Sequence, residues 1–118
     1  NQKKHAEVEQ MKTKKGTYKI AKDTGWFIEE GSVGYDYPFM VHKKKGGLWT
    51  ITHMATGHRV VHNISTLKEA KRRIGLLKPY TVFLMPDLET WQMARNRMQN
   101  NKPEEYKKLL RILAGETK

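Results

Sequence analysis

The chain has 118 residues, with 23 Lys and Arg against 12 Asp and Glu, no cysteine, and a formal net charge of +11. That length suits one domain with one core, and three Trp, five Tyr and three Phe supply enough apolar surface to argue against global disorder. Without thiols there is no disulfide framework, thiolate zinc site or cysteine nucleophile; the longest apolar run, Val82 to Met85, falls far short of the ~20 residues of a membrane-spanning helix, and nothing near Asn1 has the apolar stretch of a secretory signal. The expectation is a cytoplasmic protein with no membrane partner.

In chain order, residues 1–15 hold only Ala6, Val8 and Met11 as apolar side chains and read as a basic flexible tail or short helix ahead of a single α+β domain over 16–118. Residues 17–22 and 25–30 are rich in Tyr, Ile, Trp and Phe, which favour pleated surfaces, and Asp23-Thr24-Gly25 between them has turn chemistry. That triplet resembles the catalytic Asp-Thr-Gly of retroviral-type aspartic proteases. Lys22 and Trp26 stand where that family has an apolar and a small residue, so the triplet is read as a turn. Residues 31–36, with two glycines, are expected to form a loop, and 37–42 a further strand behind Pro38.

The clearest hairpin joins 48–54 to 58–64 about Thr56-Gly57. A two-residue turn there pairs 53 with 60, 51 with 62 and 49 with 64, placing Trp49, Ile51, Val60 and Ile64 on one face; a bulged loop pairs Trp49 with Val61 instead. Thr66 and Glu69 have capping-box spacing ahead of Leu67, Ala70, Ile74 and Leu77, which predicts a helix over 67–77. Residues 80–85 read as a short apolar strand. Pro86-Asp87 opens a second helix carrying Leu88, Trp91, Ala94 and Met98, and Pro103 opens a third carrying Tyr106, Leu109, Leu110 and Leu113, with Gly115 as its stop. The fold class expected is a small antiparallel sheet of three to five strands packed against a central helix and a C-terminal helical hairpin.

Charge is uneven along the chain. Residues 23–37 carry only acids, whereas 38–78 carry nine Lys or Arg against Glu69 alone. A field of that sign draws in phosphate polymers. The function expected is therefore nucleic-acid binding by an accessory or regulatory protein, DNA being favoured over RNA and no catalysis being assigned. Phosphate contacts would come from Lys43, Lys44, Lys45 and Arg59 on the hairpins and from Lys68, Lys71 and Arg72 on the helix flank. About six such contacts give a slope near −5 in log affinity against log salt. Strands followed by a helix opening on Thr66-Leu67-Lys68-Glu69-Ala70-Lys71 are similar to the sheet-plus-helix modules of recombinase arm-binding domains, which lay a sheet in the DNA major groove. The likeness spans residues 43–74 and is one of topology.

The alternative is a small protein-binding inhibitor or adaptor that blocks a nucleic-acid-processing enzyme. Its contact region would be the acidic, aromatic stretch Glu29, Glu30, Tyr35, Asp36 and Tyr37, since aromatic residues dominate interface hot spots. His53, His58 and His62 fall on one face of the expected hairpin and three imidazoles could hold zinc. The spacing follows equally from strand alternation, and no carboxylate lies nearby in sequence, so no metal and no cofactor is assigned.

Overall fold

The structure is a computed structural model and describes residues 12–114; the expected tail over 1–11 and the helix stop at Gly115 lie outside the described residues. Five strands, β1 (Lys14–Lys22), β2 (Gly25–Asp36), β3 (Phe39–Lys43), β4 (Trp49–His53) and β5 (Arg59–Ile64), pair in sequence order as one antiparallel meander. Three helices follow, α1 (Leu67–Leu77), α2 (Leu88–Asn101) and α3 (Pro103–Leu113), with a 3-10 turn at Thr81–Leu84. This is the α+β arrangement expected.

The helix boundaries follow from their caps. Thr66 Oγ1 accepts the Glu69 N–H at 3.1 Å and Asp87 Oδ1 accepts the Thr90 N–H at 2.8 Å, each satisfying a donor that the first helical turn leaves without a partner. Pro103 occupies the first turn of α3, where its missing N–H costs nothing. Ala70, Ile74 and Leu77 of α1 and Leu109 and Ile112 of α3 pack with Val82 and Phe83 on one sheet face, against Phe39, Val41, Trp49, Ile51, Val61 and Ile64. Trp91, Ala94 and Met98 of α2 pack at the margin of this core.

Four expectations are corrected. Residues 31–36 continue β2 rather than forming a loop: a Cβ on Gly31 would collide with the Lys43 carbonyl, so the glycine serves a close approach of backbones inside the sheet. The tail's last residues, Lys14 and Lys15, belong to β1. Residues 80–85 do not form a strand, because neighbours Val82 and Phe83 both enter the core, which a tight helical turn permits and strand alternation does not. In the β4–β5 hairpin Trp49 faces Ile64 as expected. Irregularities then pair Ile51 with Val61 and Thr52 with Arg59, which gives the core position to Val61 instead of Val60.

The opposite sheet face positions the site. Here β1 and β2 curl back over the sheet until the Ala21 N–H donates to the Gly57 carbonyl in the β4–β5 turn at 2.8 Å. Tyr18, Val33 and Met40, with Ile20 beside them, form a second small core inside the curl. Consequently β3 is buried on both faces, Phe39 and Val41 towards the helices and Met40 and His42 towards the curl. Among the described residues no helix is long and apolar enough to cross a membrane.

Candidate nucleic-acid interface

The curl encloses an open cleft of about 750 Å³ on the concave sheet face. Its position follows from strand alternation: Tyr18, Ile20 and Lys22 project from one side of β1, Glu29 stands opposite Tyr18 on β2, and His42, Thr50 and Thr52 project from the same side of β3 and β4. The β3–β4 turn brings Lys44 and Leu48, and the β4–β5 hairpin brings His58 and Arg59.

The floor is polar and uncharged. His42 Nε2 and Thr52 Oγ1 share a hydrogen bond of 2.7 Å, and the Tyr18 ring lies over the His42 ring at 4.4 Å. Burial lowers the His42 pKa to about 4, opposed in part by the Glu29 carboxylate, so the imidazole is neutral at physiological pH. The Tyr18 hydroxyl is buried and makes no well-formed hydrogen bond; burial raises its pKa first, and the neighbouring Glu29 carboxylate adds to the rise by its charge and, least, as a hydrogen-bond acceptor. A buried polar atom left unsatisfied costs stability, so its presence facing a cleft asks for a ligand or a role.

The rim is charged. Lys22, Lys44 and Arg59 line it against the carboxylates Asp23 and Glu29, whereas Lys43 meets the cleft through its backbone and turns its side chain to the helix face. Glu29 lies between two ammonium groups, 3.6 Å from Lys22 Nζ and 3.2 Å from Lys44 Nζ, and its side chain is only 15% exposed. Lys22 Nζ also stands 5.1 Å over the ring of Phe27, which is partly exposed beside the cleft. Lys43 Nζ lies 5.2 Å over the Trp49 ring, at the end of β3.

The structure therefore brings together Lys44 and Arg59 of the basic set, with Lys45 exposed in the adjoining turn and the Lys43 ammonium on the opposite face over Trp49. It separates them from Lys68, Lys71 and Arg72, which ride on α1 behind the other sheet face. Arg72 is further committed to Glu69 through contacts of 2.9 and 2.6 Å; these hydrogen bonds, with those from Arg73, pull the Glu69 pKa down to about 2. The acidic, aromatic stretch is also divided. Glu29 lies in the cleft and Asp36 binds Lys78 at 2.7 Å, whereas Glu30, Tyr35 and Tyr37 are exposed.

The histidines do not converge. His53 points into the main core, its Nε2–H donating to the Phe83 carbonyl at 2.6 Å and its Nδ1 paired with Thr56 Oγ1 at 3.0 Å, while His58 and His62 are exposed. Among the described residues no three His, Asp or Glu side chains are grouped as metal ligands. Tyr18, Lys22 and Thr52 were not singled out by sequence reasoning as a site, and His42 only as a neighbour of the other histidines; the available signal was the period-two placing of Tyr18, Ile20 and Lys22 on one face of β1.

No family model matches the chain, and neither a curated protein nor a solved structure matches it.

Proposed function

We propose that this protein acts by binding nucleic acid along the concave face of its sheet, as an accessory or regulatory protein and not as an enzyme. The observation that carries the reading is the cleft itself: three cationic side chains, Lys22, Lys44 and Arg59, rim a concave surface on a chain of net charge +11. A groove of that sign tracks a phosphate backbone, and an aromatic ring such as Phe27 beside it offers a base a stacking surface.

The test compares the two faces. Lys22→Glu with Lys44→Glu and Arg59→Glu should abolish binding of a labelled oligonucleotide by anisotropy at about 50 mM salt, and the wild-type log–log salt slope should lie near −2 to −3 for three or four single-strand phosphate contacts. Lys68→Glu with Lys71→Glu on α1 should weaken binding far less. Equal losses from the two sets would reject the concave face as the binding surface.

A second reading, an adaptor that binds a protein, is favoured by one observation: Trp26, Ile28 and Tyr35 leave an apolar patch on the β1–β2 hairpin, each about half or more exposed. Recovery of one stoichiometric protein after nuclease treatment, lost on Ile28→Glu, is the result that reading requires.

A further inference from the structure

We infer that the ligand of the concave face is an unpaired strand, one base of which enters the cleft and hydrogen-bonds the Tyr18 hydroxyl while its flanking phosphates take Lys22 and Lys44 from Glu29. The inference rests on the nucleic-acid reading and adds to it the strandedness and the residue that meets the base.

Three features of the cleft converge on a base. Its floor is polar without charge: a phenol hydroxyl, a neutral imidazole bonded to Thr52, and the hydroxyl of Thr50. A neutral, flat group with several donors and acceptors on its edge is the part of a nucleic acid that suits such a floor, whereas a phosphate would seek the cations at the rim. Tyr18 is 3% exposed, lines the cleft and makes no well-formed hydrogen bond, its hydroxyl being only weakly served by the Glu29 carboxylate that also holds the two lysines, so the folded protein carries much of the desolvation cost that a bound base edge would relieve. The rim cations stand within reach of each other because both hold Glu29, at 3.6 and 3.2 Å, and this carboxylate is the cross-strand neighbour of Tyr18. A phosphate arriving at Lys22 and Lys44 competes with Glu29 for the same ammonium groups, and release of Glu29 opens the way to Tyr18.

The curl makes the ligand single-stranded. The floor lies beneath the β1–β2 hairpin, which is fastened to the β4–β5 turn through Ala21 and Gly57, so a duplex meets the overhanging hairpin and not the floor. An unpaired base can leave its stack and enter, and Phe27 offers the next base a ring on which to stack.

The experiment measures anisotropy with three probes of about 12 nucleotides, a thymidine single strand, an abasic strand with the same phosphates, and a blunt duplex, at about 50 mM salt. Wild type and Tyr18→Phe are compared, each with a melting curve. The expected result is tightest binding to the thymidine strand and a loss of about fivefold in Tyr18→Phe on that probe alone, one neutral hydrogen bond's worth. The variant's melting temperature should change little, because the hydroxyl it removes makes no well-formed hydrogen bond in the folded chain. If the duplex or the abasic strand binds as tightly as the thymidine strand, or if Tyr18→Phe binds like wild type, the inference is overturned while the nucleic-acid reading stands. If none of the probes binds, both fall.

Discussion

Gly57→Ala tests the closure that creates the cleft. Gly57 has φ of +71°, in the left-handed region that an L side chain occupies at a cost of about 1–2 kcal/mol. A Cβ there would also collide with the six-membered ring of Trp26 and would lie 2.9 Å from the Ala21 nitrogen. Trp26 is 55% exposed and can swing away. The Ala21 nitrogen cannot, because its N–H is the donor that binds Gly57, so the new methyl group forces β1 off the turn. Adding about 1–2 kcal/mol for that crowding to the backbone cost gives roughly 3 kcal/mol, and so a fall in melting temperature of roughly 10 °C for a domain of this size. The assay is thermal unfolding by circular dichroism together with hydrogen exchange at the Ala21 amide, which should lose its protection. Adding Trp26→Ala should restore only the part due to the ring. A melting temperature within about 2 °C of wild type, with Ala21 still protected, would refute the closure.

Gly31→Ala should destabilise by at least about 2 kcal/mol in a urea titration, since the methyl group meets the Lys43 carbonyl within the sheet and has no flexible neighbour to displace. Thr66→Ala removes the acceptor for the Glu69 N–H and should cost about 1 kcal/mol by the same measurement. His42 stays neutral in the folded state down to about pH 4, while the unfolded chain protonates near 6.5. Stability should therefore be full above about pH 6.5 and fall towards pH 4 by roughly 3 kcal/mol, the lowered His53 pKa acting in the same direction. Unfolding curves at several pH values check this, and His42→Gln should flatten the profile. Glu29→Gln should tighten oligonucleotide binding several-fold, by freeing Lys22 and Lys44 from a competing anion.

Local chemistry made much of the fold legible. The Thr66–Glu69 spacing placed α1 at its observed bounds, Asp87 and Pro103 opened the next two helices, and Asp23-Thr24 turned β1 into β2. Errors arose where a local rule met a long-range contact. Gly31 resembles a loop residue until the Lys43 backbone is seen against it, and the exchange of Val60 for Val61 follows from ladder irregularities that alternation alone does not encode. In α3 the buried positions are Leu109 and Ile112, with Leu110 on the exposed side, because α3 meets both α1 and α2 and so turns inward a face rotated from the expected stripe towards Ile112.

The candidate site was legible only in part. Lys44 and Arg59 follow from charge and hairpin position, whereas alternation along β3 turns the Lys43 side chain to the other face. Tyr18, Lys22 and Glu29 join them only through the curl that brings β1 to the β4–β5 turn, a contact 36 residues apart between Ala21 and Gly57. The helix cations Lys68, Lys71 and Arg72 share the same stretch of sequence, yet a sheet separates them from the cleft.

The most direct test of the central claim is amide chemical-shift mapping of the full chain as a thymidine strand of about 12 nucleotides is added. The account predicts shifts concentrated at Tyr18, Lys22, Glu29, His42, Lys44 and Arg59, with α1 nearly silent. Shifts confined to Lys68, Lys71 and Arg72, or none at saturating strand, would contradict it.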